Sequence, residues 1–252
     1  MDPLAQKRAH EKLYSSLELA GYEFHITSDP LTRYLRDRRL KIALETLRET
    51  YGSSLYSFKV LSVCGGVGGE GIFFLKEGFS DVTVSDFSQN ALRIAEQLNG
   101  KLKTLALDAE AMALPDRSYD IVVVHDGLHH LQRPATGFAE MLRVARKAAI
   151  VIEPHRGLVG KLIGQEWELT DGEKNYVFRW DRNMIEQTVK SLLLTNYRNI
   201  VVRRVWDHGG FISKITRIVP SSLRFVAIRL IYRLLQPFGF CGNNMVAVVV
   251  KD

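Results

Sequence analysis

The sequence has few cysteines, no long apolar run and a long stretch without acidic residues. Cys64 and Cys241 lie far apart without metal-ligand spacing, so neither a disulfide framework nor a metal site is indicated. A membrane span needs about 18 uninterrupted apolar residues, and no such run occurs. Residues 1–16 also lack the apolar segment of a signal peptide. We therefore expect a cytoplasmic protein that is not integral to a membrane.

Length and charge suggest one catalytic unit with additions. A chain of 252 residues, 46% of them apolar, can bury one sizeable core. We expect an N-terminal helical lid over residues 1–54 and the main domain over residues 55–252. The net charge is +6, but it is uneven, because no acid stands between Asp207 and Asp252.

The pattern of apolar residues predicts an α/β fold. Residues 31–47 have helical spacing, and from Phe58 onward short β-rich runs alternate with helical stretches, which is typical of a parallel sheet with crossover helices. Helices are predicted between the strands, the second of them capped by Ser88. We expect a Rossmann-like, seven-stranded, mostly parallel sheet with helices on both faces. The predicted strands are 58–63, 82–85, 102–107, 120–125, 148–153, 200–206 and 245–250, and the predicted helices are 70–78, 88–98, 134–146 and 181–194.

A glycine-rich loop, residues 64–71, follows the first predicted strand. Glycines let the backbone turn sharply and let a ligand approach, and the N-terminus of the next helix offers free N–H groups. The loop also fits G-x-G-x-x-G, and Asp86 stands 20 residues after Gly66. The Asp86 carboxylate can bind the ribose of more than one cofactor. The loop therefore predicts a nucleotide-like cofactor without choosing between a dinucleotide and S-adenosylmethionine.

Residues 105–155 decide between these cofactors. They read as a strand, Asp-Ala-Glu, a Leu-Pro-Asp turn, Ser-Tyr-Asp before the fourth strand, Leu-His-His after it, and a helix ending in Arg-Val-Ala-Arg-Lys. This order resembles the class I S-adenosylmethionine-dependent methyltransferases, most closely their small-molecule, type 11-like branch. The resemblance covers residues 58–155 strongly and the remainder by topology. It implies S-adenosylmethionine as cofactor and a last strand that runs antiparallel.

The same resemblance implies nine cofactor-binding positions. The loop glycines would line the methionine and ribose part, and Asp86 would hold the ribose hydroxyls. Phe87 would flank the adenine, Asp108 would accept a hydrogen bond from its amino group beside the Ala109 amide, and His125 would lie near the methionine part. The nine positions are Ser62, Gly65, Gly66, Gly68, Asp86, Phe87, Asp108, Ala109 and His125.

Two positions depart from the family pattern. Ser62 stands where the family usually has an acid, and Cys64 also differs from the pattern. A serine can bind the cofactor's ammonium without a charge, and Asp126 or Glu110 could supply the missing one. A cofactor-binding protein without transferase activity is therefore the alternative from another class.

The catalytic candidates are His129 and His130, which follow the fourth strand at the sheet edge where ligands bind. Methyl transfer requires positioning and, for an oxygen acceptor, removal of a proton, which suits histidine. The alternative is that one of the pair is only packed, and His125, His155 and Glu153 are rivals at the same edge. We expect O-methylation of a small, partly apolar molecule, with an RNA or protein methyltransferase as a further alternative.

Two segments have open interpretations. Residues 153–180 form a long predicted acceptor loop, whose aromatic residues either line the acceptor pocket or pack onto the sheet. Residues 209–240 form an apolar, basic insertion, predicted as two helices broken at Pro220. Within it, residues 211–240 are interpreted as a peripheral membrane contact, a lipid-acceptor site, a substrate lid or a dimer contact. Nucleic acid is not expected, because the cations are interleaved with aliphatic residues.

Overall fold

The computed structural model describes residues 12, 30–158, 166–170, 173–207 and 209–252. These residues form nine strands and seven α-helices. The strands are β1 (Lys59–Val63), β2 (Asp81–Asp86), β3 (Lys103–Ala106), β4 (Tyr119–His125), β5 (Ala145–Pro154), β6 (Trp167–Thr170), β7 (Glu173–Tyr176), β8 (Tyr197–Val205) and β9 (Asn244–Lys251). The helices are α1 (Pro30–Tyr51), α2 (Gly69–Lys76), α3 (Gln89–Leu98), α4 (Pro134–Val144), α5 (Arg182–Leu193), α6 (Gly209–Thr216) and α7 (Ser221–Leu235).

The main sheet has seven strands in the order β3-β2-β1-β4-β5-β9-β8. Strands β1 to β5 pair in parallel, and β9 runs antiparallel to both β5 and β8. This confirms the predicted Rossmann-like fold with an antiparallel last strand. The predicted Ser88 cap is confirmed as well, since its hydroxyl accepts a hydrogen bond from the Ala91 N–H.

Side chains of the central strands alternate between two cores. Val60, Ile121 and Ile150 point to one face, which α1, α2 and α3 cover. Leu61 and Val122 point to the other face, which α4 and α5 cover. A strand buried on both faces reads as a nearly continuous apolar run, which is why the strands could be predicted. The helices lie on both faces, as expected.

Helix α1 forms part of the core. Leu40, Leu44 and Leu47 are buried against the sheet, whereas Leu31 and Leu35 pack against α6 and α7. Residues 30–51 are therefore joined to the sheet through a shared core. Most of the predicted lid, residues 1–11 and 13–29, lies outside the described residues, so the lid and the boundary at residue 54 stay predictions.

The segment after β5 contains structure that the sequence analysis missed. Strands β6 and β7 pair as an antiparallel hairpin, with Trp167 opposite Tyr176.

The break predicted at Pro220 is confirmed, since α6 ends at Thr216 and α7 begins at Ser221. Among the described helices, none is both long enough and apolar enough to cross a membrane.

Candidate functional site

The glycine loop is packed so tightly that side chains are excluded. A Cβ on Gly65 would lie 2.8 Å from a Val84 methyl group and 2.9 Å from the Ser62 hydroxyl oxygen. Gly68 has a φ of 86°, in the left-handed region that favours glycine. Backbone therefore lines this edge of the sheet, which is the condition for a ligand to approach the loop closely.

Asp86 connects the loop to the second strand. Its Oδ2 accepts a hydrogen bond from the Gly66 N–H at 2.9 Å, and its Oδ1 accepts one from the Ser88 N–H at 2.9 Å. Each carboxylate oxygen has a further lone pair available for a ligand. The neighbouring Phe87 has an exposed fraction of 44%, unusual for phenylalanine.

The end of the third strand forms a short polar turn. The Asp108 Oδ1 accepts a hydrogen bond from the Glu110 N–H at 3.0 Å, and Ala109 between them is buried. Glu110 is paired with Arg133, whose guanidinium Nη2 lies 3.2 Å from Oε2. Glu110 is therefore engaged within the protein rather than carrying an unpaired charge for a ligand.

Two residues at the base of the loop carry features that fit a bound polar group. The Ser62 hydroxyl oxygen is buried, with no hydrogen-bond partner among the described residues. Buried polar atoms normally have partners, so this one has capacity for a ligand. Cys64 adopts a φ of 51°, a strained conformation for a residue with a Cβ. The donors and the cradle thus fit the methionine and ribose part of S-adenosylmethionine.

The environment of Cys64 gives a chemical prediction. Burial, and then the negative charges of Asp86 and Glu153, raise the pKa of the Cys64 thiol well above its usual range. The reactive form of cysteine is the thiolate, so Cys64 should react slowly at neutral pH. In a short iodoacetamide pulse at pH 7.5, mass spectrometry should find Cys241 labelled at least about tenfold more than Cys64. Equal labelling of the two cysteines would contradict this description of the loop.

His129 and Glu153 form a buried pair at the carboxyl ends of β4 and β5. The His129 Nδ1 lies 2.7 Å from the Glu153 Oε2, and Glu153 is completely buried. The Glu153 Oε1 accepts hydrogen bonds from the N–H groups of Gly127 and Leu128, at 2.8 and 2.7 Å. The carboxylate therefore holds the proton on Nδ1, which makes Nε2 the basic nitrogen of the neutral ring.

The other histidines of this edge have different surroundings. His130 lies beside His129, with ring centroids 4.2 Å apart. The His155 Nδ1 donates to the carbonyl of Trp180, and burial lowers the pKa of His155. Trp180 is buried against Phe138. His155 and Trp180 therefore close the base of the predicted acceptor loop, whereas the aromatic residues of its hairpin are exposed.

A second polar cluster joins α1 to the end of β4. The buried Arg39 guanidinium lies 2.8 Å from Asp126 and 3.1 Å from Asp207. Burial would raise the pKa of Asp126, but the charge and hydrogen bond of Arg39, together with His125 and His129, outweigh it and hold that pKa well below its usual range. His125 is buried between Asp126 and Glu70, with its Nδ1 3.1 Å from the Glu70 carboxylate. Asp126 is thus committed to Arg39.

Removal of the Arg39 guanidinium should lower the stability of the protein. Arg39→Met leaves Asp126 and Asp207 close together without their cation, and we expect the free energy of unfolding to fall by about 2–3 kcal/mol. This is below the range for a fully buried pair, since Asp126 is 37% exposed. Urea unfolding should show the loss, and the added substitution Asp126→Asn should restore part of it. A change below about 0.5 kcal/mol, typical of surface substitutions, would contradict a structural role for the cluster.

The fold is Rossmann-like, and the carboxyl ends of its parallel strands form the edge at which such folds bind nucleotide-type ligands. Residues 61–152 match a family model described as a methyltransferase domain. Over these residues the chain is similar to the class I S-adenosylmethionine-dependent methyltransferases.

Similar proteins agree with this assignment. Demethylmenaquinone methyltransferase of Renibacterium salmoninarum is 27% identical over 124 residues, which are 49% of this chain and 50% of the relative. A ubiquinone/menaquinone biosynthesis C-methyltransferase of Paraburkholderia phymatum is 33% identical over 97 residues, 36% of this chain and 40% of the relative. The chain thus spans half or less of the length of these curated relatives.

The fold is shared over a longer stretch. The structure of plantazolicin methyltransferase in complex with S-adenosylhomocysteine matches 99% of this chain and 96% of its own, with a TM-score of 0.58 and 16% identity. A structural likeness at such low sequence identity shows a common fold, and it does not identify the acceptor molecule.

Proposed function

We propose that the protein transfers a methyl group from S-adenosylmethionine to a small, partly apolar molecule. The observation that carries the proposal is the His129–Glu153 pair, whose turn, beginning at Gly127, packs against the glycine loop. A Cβ on Gly127, at the start of the turn that holds His129, would lie only 2.6 Å from the Cys64 Cβ. A basic nitrogen and a cofactor cradle therefore share one edge of the sheet.

The cofactor would be held along the ends of β1 to β4. The backbone of Gly65, Gly66 and Gly68 and the orphaned Ser62 hydroxyl face the methionine and ribose part in this proposal. The Asp86 carboxylate binds the ribose hydroxyls and the exposed Phe87 ring covers the adenine. Support comes from the tight glycine packing and from the N–H groups of Gly66 and Ser88, which already orient Asp86.

The remaining proposed cofactor residues lie at the ends of β3 and β4. Asp108 and the Ala109 amide close the adenine end, at the turn after β3. His125 contributes through Glu70 and Asp126, since its side chain is held between these carboxylates. In this proposal His125 positions the end of β4 rather than contacting the cofactor with a solvent-facing ring.

The chemistry requires little more than positioning and one proton transfer. When bound, S-adenosylmethionine would supply an electrophilic methyl group for in-line transfer to the acceptor. His129 Nε2 removes the proton from an acceptor hydroxyl, and the buried Glu153 carboxylate stabilises the imidazolium that results. His130 borders the same turn and is the second candidate for contact with the acceptor.

The methylated atom is a finer part of the proposal. A histidine base favours an oxygen acceptor, whereas one curated relative is named a C-methyltransferase. A phenol or hydroquinone satisfies both observations, because its phenolate is nucleophilic at oxygen and at the adjacent ring carbon. We therefore propose an acceptor with a phenolic hydroxyl and an apolar substituent. Carbon-13 NMR of the product made from methyl-labelled cofactor distinguishes an O-methyl from a C-methyl group.

Calorimetric titration tests the choice of cofactor. The protein should bind S-adenosylmethionine and S-adenosylhomocysteine in a one-to-one ratio. It should bind NAD at least about a hundredfold more weakly, since the proposed site holds one nucleoside and no site is proposed for the second nucleotide of NAD. Tighter binding of NAD would contradict the cofactor. Tight binding of S-adenosylmethionine without release of S-adenosylhomocysteine, over a panel of phenolic acceptors, would instead favour a cofactor-binding protein without transferase activity.

A further inference from the structure

One face of helix α7 is buried against the rest of the protein, so the opposite face is directed to solvent. Ile228 and Tyr232 are almost completely buried, in one cluster with residues of α1 and α6. The opposite face carries four large apolar side chains with exposed fractions between 56% and 65%, which we call the outer stripe: Leu223, Val226, Leu230 and Leu234. Their spacing of three and four residues places them on one side of the helix. The outer stripe therefore points to solvent because the inner face is already used.

Exposed arginines border the outer stripe on both sides. At 3.6 residues per turn, Arg229 and Arg233 lie along one margin and Arg224 along the other, and all three are exposed. No carboxylate in the described part of the chain forms an ion pair with these three guanidinium groups. From residue 209 to 243 the sequence has five Lys or Arg residues and no Asp or Glu. The surface is therefore apolar along its centre and positive at its margins.

The exposed apolar surface extends beyond α7. Ile218, between α6 and α7, is exposed, as are Phe238 and Phe240 after α7. The two phenylalanine rings lie 6.5 Å apart, and the Trp206 indole N–H donates to the Phe238 carbonyl, which fastens this segment to the end of β8. Exposed apolar groups of this size on a rigid support mark an interaction surface.

We infer that the outer stripe and its bordering arginines dock onto the surface of an anionic lipid bilayer. An interfacial helix buries its apolar side at the boundary between headgroups and acyl chains, while arginine side chains reach the phosphates. A second copy of the chain complements this surface poorly, because two such faces would bring their unpaired arginines together. Charge and apolarity together match an anionic bilayer.

The docking surface is linked to the candidate site through α1. Helix α1 packs against α7 through Leu31 and Leu35, and about one turn beyond Leu35 its Arg39 binds Asp126 at the end of β4. If methyl transfer is the function, docking brings the site beside acceptors dissolved in the bilayer; this consequence alone rests on the proposed function. The docking itself can be tested without any activity measurement.

Vesicle flotation of the full chain tests the inference. The wild-type protein should float with vesicles of phosphatidylcholine containing phosphatidylglycerol and stay unbound with pure phosphatidylcholine. Leu230→Ser with Leu234→Ser, and separately Arg229→Glu with Arg233→Glu, should each lower the affinity for anionic vesicles at least about tenfold. Circular dichroism should show that both variants keep the wild-type fold, since the four side chains point outward.

A matched control uses another exposed leucine. Leu192→Ser on α5 removes an exposed apolar side chain from a helix without such a basic border, and it should leave vesicle binding unchanged. Equal binding to neutral and anionic vesicles, or no binding by the wild-type protein, would overturn the inference. A dimer that the Leu230→Ser and Leu234→Ser variant abolishes, in the absence of vesicle binding, would assign the surface to a second copy instead.

Discussion

Replacing His129 by alanine is expected to lower kcat about 10²- to 10⁴-fold, the range attributed to a positioned acid–base group. The physical reason is the hydrogen bond from His129 Nδ1 to the buried Glu153, which presents Nε2 as the base. The affinity for S-adenosylmethionine should stay unchanged, because the proposed cofactor contacts lie on other residues. Turnover and calorimetric affinity, measured on the same preparations, check both parts.

Glu153 and His130 supply the matched variants for this prediction. Glu153→Gln keeps the size of the side chain but places an amide group beside Nδ1, so it should lower kcat and add little in a His129→Ala background. It should also alter the pH profile of kcat, which a purely structural role for Glu153 would leave in place. His130→Ala should have the smaller effect of the two histidine variants. Wild-type turnover in His129→Ala would remove the proposed base.

Replacing Asp86 by alanine is expected to weaken the binding of S-adenosylmethionine about 10²-fold or more. The variant removes charged acceptors for the ribose hydroxyls, and hydrogen bonds to charged groups contribute about 1.5–3 kcal/mol each. It also frees the Gly66 N–H, which Asp86 holds in the loop. Calorimetric titration with S-adenosylhomocysteine measures the loss without any acceptor.

The same strand provides the control for Asp86. Asp81 stands at the other end of β2, where it pairs with the exposed Lys103. Asp81→Ala removes an equal charge far from the loop and should change cofactor affinity less than about twofold, since such surface pairs contribute little. Equal losses in the two variants would mean that net charge, rather than the geometry of Asp86, governs cofactor binding.

The sequence predicted secondary structure best where burial on both faces produces a continuous run of apolar residues. All seven strands of the main sheet could be located. The clearest were β1, β4, β5 and β9, which are covered on both faces and contain nearly uninterrupted apolar runs. The hairpin β6–β7 could not be located, because its short strands mix polar and aromatic residues within a segment that reads as a loop. The sequence predicted α1 as part of a lid, because the spacing of its apolar residues indicates a helix without indicating which surface the helix covers.

The site was only partly predictable for a related reason. Asp86, the loop glycines and the Leu-His-His turn could be named from local motifs. The partnership of His129 with Glu153 joins residues 24 positions apart, and Arg39 meets Asp126 and Asp207 across much of the chain. Such contacts are set by sheet order and helix packing, which local spacing does not encode. The signal in the sequence that could have found Arg39 is its place on the apolar side of the predicted helix, four residues after Leu35 and four before Ala43.

The most direct test of the proposed function measures transfer of a labelled methyl group from the cofactor to an acceptor. The protein is incubated with methyl-labelled S-adenosylmethionine and a panel of phenols and hydroquinones that carry apolar substituents, with His129→Ala in parallel. The label should appear in an organic-extractable product, together with an equal amount of S-adenosylhomocysteine, and the variant should form at least about a hundredfold less of both. Bound cofactor that yields neither product nor S-adenosylhomocysteine, or equal yields from wild type and variant, would contradict the proposed function.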